Sequence, residues 1–141
     1  MPGKAWSSPV IADGVIWATT AIERAATDEE RIAMFKQADI EEKKFKQLSI
    51  AKSIELKLLA LDFDSGTVLQ TIDLVDFQQP DAIHALNSYA SPTPVIDGDR
   101  IYCHFGNYGT YCLDRDSYSL ICKRRLPLQH SVGPGSSPLI H

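Results

Sequence analysis

The sequence lacks long apolar segments, an excess of basic charge and an even set of cysteines. Its longest uninterrupted apolar runs are only a few residues, so it predicts no transmembrane helix. The formal net charge of -4 argues against a nucleic-acid-binding surface, because phosphate binding normally leaves a basic footprint. Three cysteines are an odd number, which argues against a dedicated disulfide framework. The composition, 44% hydrophobic and 23% charged, is typical of a globular protein with its own core.

Histidine spacing and the N-terminal segment carry little further information. The four histidines, His84, His104, His130 and His141, form no His-x-x-x-His pair, so the sequence predicts no metal site. The first residues, MPGKAWSSPV, lack the basic-then-apolar layout of a signal peptide, so they leave the localisation open.

One phrase occurs twice and begins a third time. The stretch SSPVIADGVIWATT (7–20) resembles SPTPVIDGDRIYCHFG (91–106), and SSPLIH (136–141) starts the same pattern again. Aligning Thr93-Pro94 with Ser137-Pro138 gives a period of 44 residues (137 − 93 = 44), and aligning Ser8 with Thr93 gives 85 (93 − 8 = 85), nearly two periods. Repetition at this period is typical of propellers and other repeat architectures.

Within each repeat the apolar alternation predicts four short antiparallel strands. In the second repeat they are expected near 93–96, 100–105, 110–114 and 120–125, with an Asp-Gly turn at 97–98. Four strands recurring at this spacing match a propeller blade. The sequence therefore predicts an all-β, incomplete β-propeller of about two and a half blades: blade 1 at 7–75, blade 2 at 91–126 and the start of blade 3 at 136–141.

The surplus residues of the first repeat form a charged segment, 27–57, that is predicted to be a helical insertion. Thr27 and Glu30 have the spacing of a capping box, which predicts a helix start. The residues expected on its inner face are Ile32, Phe35, Ala38, Phe45 and Leu48. A helix lying over the sheets is favoured over a partner-binding helix. Because closed propellers need about four blades or more, we expect the remaining blades to come from a longer chain or from other copies.

A short motif in each repeat carries a family resemblance. ALDFDSGTVLQ (60–70) resembles the tryptophan-docking motif of quinoprotein-type (PQQ-like) propellers, Ala-x-Asp-x-x-x-Gly-x-x-x-Trp. Ala60, Asp62 and Gly66 match it, and Gln70 stands at the Trp position. The second copy, CLDRDSYSLIC (112–122), keeps Asp114. The longer phrases resemble bacterial PQQ-like repeat proteins related to outer-membrane assembly lipoproteins.

This resemblance implies an eight-bladed ring, periplasmic or exported, in which PQQ is a possible cofactor and catalysis is not implied. Quinoprotein dehydrogenases use a carboxylate base, calcium and often a disulfide between adjacent cysteines, and no two cysteines are adjacent here. Asp62 and Asp114 are better explained by turn hydrogen bonds. We therefore expect a binding or scaffolding module. The alternatives are a segment of a PQQ-dependent oxidoreductase and a structural repeat without separate activity.

The candidate ligand-binding residues lie in the two loops that precede the Ser/Thr-Pro phrases. They are His84, Asn87, Tyr89 and His130, because propeller ligands usually contact such loops. A protein or a small molecule is the expected partner, and loop-capping hydrogen bonds are the alternative role of these residues.

The cysteines pose a separate question of register. A two-residue turn at Asn107-Tyr108 would place Cys103 opposite Cys112, where a cross-strand disulfide is geometrically possible. A pair of small apolar residues inside the sheet is the favoured alternative.

Overall fold

The computed structural model describes residues 2–128 and 132–141, which are mostly β-strand in antiparallel sheets. The all-β class is therefore as expected. One α-helix, α1 (Asp28–Gln37), lies in this part of the chain. The strands are β1 (Val10–Ala12), β2 (Val15–Ala25), β3 (Leu48–Ser49), β4 (Ala51–Asp62), β5 (Val68–Gln78), β6 (Ile83–His84), β7 (Val95–Asp97), β8 (Arg100–His104), β9 (Thr110–Asp114) and β10 (Leu120–Arg124).

The strands form two four-stranded sheets and one small two-stranded sheet. The first sheet has the order β1-β2-β4-β5, and the second has the order β7-β8-β9-β10. The third sheet pairs β3 with β6. Residues 136–141 form no helix or strand. No helix within 2–128 and 132–141 has both the length and the apolar character needed to span a bilayer.

The first hairpin turns at Asp13-Gly14, as its sequence predicts. Ala12 pairs with Val15, and both loop residues have positive φ, 50° and 75°. This backbone is the one that a two-residue turn requires. In the second sheet the equivalent loop is Gly98-Asp99, because Asp97 pairs with Arg100. The predicted turn at 97–98 is therefore one residue too early.

The register between β8 and β9 corrects the predicted cysteine pair. Cys103 lies opposite Tyr111, and Cys112 lies opposite Tyr102. The connection is a 3-10 turn of three residues, Gly106–Tyr108, not a turn of two residues. One extra turn residue shifts the register by one, and side chains alternate along a strand, so Cys103 and Cys112 lie on opposite faces of the sheet. They cannot form the cross-strand disulfide.

The insertion is shorter than predicted because its last part belongs to a sheet. Strand β4 begins at Ala51, so the residues from 51 to 57 are extended. Ile54, Leu56 and Leu58 alternate with charged residues and are fully buried. This period of two is a strand signal. The high density of charged residues favours a helix at the same positions, but the alternating burial outweighs it.

The beginning of the insertion is confirmed as a helix start. The Glu30 N–H donates to Thr27 Oγ1 (3.2 Å), and the Thr27 N–H donates to Glu30 Oε2 (2.9 Å). These two bonds are the capping box. Of the predicted inner face, Phe35 is fully buried against the half-buried Phe45, whereas Ile32 and Ala38 are exposed.

The two large sheets share one apolar core. From β4 it contains the alternate residues 54, 56, 58 and 60, and from β8 and β9 it contains Ile101, Cys103, Tyr111 and Leu113. Tyr108 packs edge-on against Phe77 of β5, with ring centroids 5.0 Å apart. By contrast, every residue of β10 is exposed. The core therefore lies between the inner parts of the sheets, and β10 is an outer strand.

Candidate functional site

Two turns repeat the same hydrogen bonds around an aspartate. Asp62 Oδ1 accepts from the Ser65 N–H (2.8 Å) and hydroxyl (2.6 Å). Asp114 Oδ1 accepts from the Ser117 N–H and hydroxyl, both at 2.7 Å. Side-chain bonds of this kind hold the backbone in a tight turn. The two motif aspartates therefore act on their own turns in this structure.

The other motif positions differ between the two copies. Ala60 is fully buried in β4, and Gly66 has a φ of 69°. Tyr118 occupies the Gly66 position of the second copy with a φ of 59°. Its ring packs against Trp17 of the first sheet, with centroids 6.0 Å apart. The strained tyrosine is thus also a contact between the two sheets.

The turn aspartates make stability depend on pH. The Ser65 hydroxyl and then its N–H hold the pKa of Asp62 below its ordinary value, and the Ser117 N–H and then its hydroxyl do the same for the pKa of Asp114. A lowered pKa in the folded state contributes stability above the unfolded pKa of about 3.9, and this is lost as pH falls through the folded pKa. We expect Asp62→Asn with Asp114→Asn to make the melting temperature fall less steeply below about pH 4.

The measurement is thermal unfolding by circular dichroism across that acidic range. Asp64→Asn with Asp116→Asn is the matched control, because these neighbours belong to the same turns but accept none of the four bonds. The control should keep the wild-type dependence. The same slope in both double variants would contradict the assignment.

A cleft of about 770 Å³ lies beside the core, and we call it the insertion cleft. One side is the end of the insertion, and the other side is formed by loops of both large sheets. Its lining residues are Ala38, Asp39, Ile40, Glu41, Lys44, Gln47, Leu48, Asp81, Ala82, His84, Asn107, Leu128 and Val132. A concave surface of this size, with apolar and polar residues together, is typical of a ligand site.

Of the predicted loop residues, His84 lines the cleft. It is half-buried and lies opposite Leu48 in the small β3–β6 sheet. Its Nδ1 accepts from the Leu86 N–H (3.1 Å), which leaves the proton of a neutral ring on Nε2. His84 is therefore a residue of the cleft wall whose Nδ1 is already used by the backbone.

Asn87 and Tyr89 do not line the cleft, and their side chains make hydrogen bonds within the protein. Asn87 Nδ2 donates to the carbonyls of Val132 (2.7 Å) and Pro134 (3.2 Å), which ties together the two loops. Tyr89 is 1% exposed, and its hydroxyl donates to the Asp81 carbonyl at 2.8 Å. Burial raises the pKa of Tyr89 far above its ordinary value. His130 lies outside the described residues.

The sequence analysis missed the charged residues of the cleft. Asp81 is held by its backbone, because its N–H donates to the Tyr108 hydroxyl (2.9 Å) and its carbonyl accepts from Tyr89. Asn107 Nδ2 donates to Asp81 Oδ2 at 3.2 Å. Tyr89 and Tyr108 are 8 and 27 residues from Asp81 in the sequence, so their contacts with Asp81 leave no local sequence pattern. The Asn107 loop was identified only as a turn.

The charges of the cleft favour some ligands over others. Asp39, Glu41 and Asp81 contribute three carboxylates and Lys44 contributes one ammonium, and the Glu41 carboxylate is ion-paired with Lys43. PQQ is a polycarboxylate anion, so this lining does not fit it. No group of three or more His, Cys, Asp or Glu residues suited to a metal ion lies within the described ranges. The arrangement is suited to binding a cation with an apolar body.

Comparison with known proteins identifies no family for this chain. No protein-family model matches the chain, and no curated protein matches it.

Proposed function

We propose that the chain is a propeller-type repeat segment of the PQQ-like kind that acts as a binding module, with the insertion cleft as its ligand site. The ligand is a basic, partly apolar peptide segment of a partner protein. The observation that carries the binding role is the cleft itself, with its acidic rim and its apolar residues Ile40, Leu48 and Leu128.

The hydrogen bonds between the repeated phrases support the propeller-type arrangement. The Ser8 N–H donates to Thr93 Oγ1 at 3.1 Å, and the Thr93 N–H donates to Ser137 Oγ at 2.9 Å. The same position in three successive phrases thus bonds to its counterpart in the next. The first strands of the two large sheets, β1 and β7, are also neighbours. Sheets placed side by side with their first strands together have the relation of adjacent blades.

A second repeated contact supports the same arrangement. The Phe63 N–H donates to the Gly14 carbonyl (2.9 Å), and in the second sheet the Arg115 N–H donates to the Asp99 carbonyl (2.8 Å). The Arg115 guanidinium also forms an ion pair with Asp13 of the first sheet. Each sheet therefore has the same internal link between its hairpins, and one arginine extends that link to the neighbouring sheet.

The charge of the cleft supports a basic partner. Its lining carries a net negative charge, and complementary charge gives specificity and a faster association rate. The apolar residues among the carboxylates add contact area for aliphatic side chains. A segment that combines lysine or arginine with leucine-like residues satisfies both features.

The proposal is tested by nuclear magnetic resonance titration with a short peptide that alternates lysine and leucine. We expect shifts of the amides that line the cleft, and no such shifts with the glutamate–leucine counterpart. Asp81→Asn with Glu41→Gln should weaken binding about fivefold, the factor for about 1 kcal/mol from an exposed charge pair.

Glu29→Gln on α1 is the matched control, because Glu29 is exposed and does not line the cleft. It should bind as the wild type does. Equal binding of both peptides, or an equal loss in the control, would contradict the proposal. PQQ with calcium chloride is a further probe: a quinone absorbance that stays with the protein after desalting would favour the oxidoreductase alternative.

A further inference from the structure

Cys112 and Cys122 lie directly opposite each other on β9 and β10. Cys112 is 2% exposed, whereas Cys122 is exposed on the outer strand. Cys103 points to the opposite face of the sheet and is fully buried in the core. The structure thus separates the three cysteines into one facing pair and one isolated thiol.

The spacing of this pair suits a disulfide. Directly opposed residues in antiparallel strands have Cα atoms about 4.5–5.5 Å apart, and disulfides join Cα atoms about 4.4–6.8 Å apart. The register shifts between Leu120 and Cys122, which identifies a bulge at Ile121. A bulge bends the strand locally and increases its twist.

The two cysteines also differ in the way that a stepwise oxidation requires. Cys122 is accessible to an oxidant in solvent, and Cys112 is accessible mainly to Cys122. Burial raises the pKa of the Cys112 thiol, so a smaller fraction of Cys112 is thiolate than in an ordinary exposed cysteine. Cys122 therefore reacts first, and Cys112 resolves the product.

We propose that Cys112 and Cys122 form a redox modification site, at which a small disulfide such as oxidised glutathione converts the two thiols into a β9–β10 disulfide. The Cys122 thiolate, its proton lost to solvent, attacks one sulfur of oxidised glutathione. That S–S bond breaks, a mixed disulfide forms, and one glutathione thiolate leaves and is protonated. The Cys112 thiolate then attacks the Cys122 sulfur and releases the second glutathione. The protein loses two electrons, and the oxidised glutathione gains them.

The disulfide would fasten the exposed outer strand to the core strand. Every residue of β10 is exposed, and its continuation contacts the cleft, since Arg125 Nε donates to the Asn107 carbonyl at 2.7 Å. A covalent link between β9 and β10 limits the opening of this edge. We expect the amides of β10 to exchange with deuterium more slowly after oxidation.

The test is mass spectrometry of the purified chain after incubation with oxidised glutathione. The wild type should lose two hydrogen atoms and retain no glutathione, and Cys103→Ala should do the same. Cys112→Ser should instead retain one glutathione, on Cys122. Chymotrypsin cuts between Cys103 and Cys112, after residues such as Phe105 and Tyr111, so the linked peptides identify the pair.

Three results would overturn the proposal. They are a stable glutathione adduct on the wild type, a disulfide that contains Cys103, and linkage only between separate chains. Hydrogen exchange of β10 in Cys122→Ser, which should not change with oxidant, provides the control for the strand-locking effect. Cys112→Ser is not needed for that measurement, so a loss of folding in this variant leaves the test intact.

Discussion

Replacing Trp17 by alanine is expected to lower the free energy of unfolding by about 3–5 kcal/mol. Trp17 lies on β2, is 2% exposed and packs against Tyr118 of the second sheet. Its cross-strand neighbours are Val10 on β1 and Ala60 on β4, and Ala60 is too small to fill the space of a removed indole. A loss of this size is a large part of the about 5–15 kcal/mol that stabilises a typical domain. Urea unfolding followed by far-ultraviolet circular dichroism measures it.

Trp17→Phe is the matched variant, and it should cost about 1 kcal/mol or less. Phenylalanine keeps most of the packing and removes the indole N–H, which is buried and has no hydrogen-bond partner in the described part of the chain. A double-mutant cycle with Tyr118→Ala should give a coupling of about 0.5–1.5 kcal/mol. An alanine variant as stable as the wild type, or a cycle without coupling, would show that this contact does not join the sheets.

Replacing Tyr89 by alanine should lower the free energy of unfolding by about 3–5 kcal/mol, and Tyr89→Phe by about 1 kcal/mol. The ring is buried between the sheets and packs edge-on against Tyr108, with centroids 5.9 Å apart. The hydroxyl donates to the Asp81 carbonyl, so phenylalanine keeps the packing and leaves this carbonyl without that donor. Urea unfolding of the wild type, Tyr89→Ala and Tyr89→Phe separates the contribution of the ring packing from that of the hydroxyl hydrogen bond.

Tyr118→Phe is the control for the hydroxyl, because no hydrogen bond of the Tyr118 hydroxyl occurs among the described residues. It should unfold within about 0.5 kcal/mol of the wild type. Tyr89→Phe should also weaken binding of the lysine–leucine peptide, because Tyr89 helps to hold the Asp81 backbone at the cleft. If Tyr89→Phe and Tyr118→Phe behaved alike in urea unfolding and in peptide binding, Tyr89 would not position Asp81.

Local patterns predicted the strands of the second sheet well. Val95–Asp97, Arg100–His104, Thr110–Asp114 and Leu120–Arg124 lie within one or two residues of their expected positions. Each is a short apolar segment between turn residues, and both features are local. The capping box at Thr27 is equally local, and its helix begins as predicted.

The errors arose where distant residues decide the outcome. The charged residues of β4 favour a helix by pattern, yet pairing with β2 extends the strand back to Ala51, and pairing with β5 begins at Ser53. The register of β8 and β9 depended on one residue of turn length, and no local pattern distinguishes the two lengths. The cysteine pair therefore changed from Cys103–Cys112 to Cys112–Cys122.

The sequence by itself determined the β class, the repeated turns and the start of the helix, because each depends on side chains a few residues apart. Only the tertiary structure decided which cysteines face each other, where the insertion ends and which charges surround the cleft. Asp81, Asn107 and Lys44 come from separate segments and meet only after the sheets have packed. Pairing energies between strands and burial between sheets are sums over distant residues, and a local pattern does not contain them.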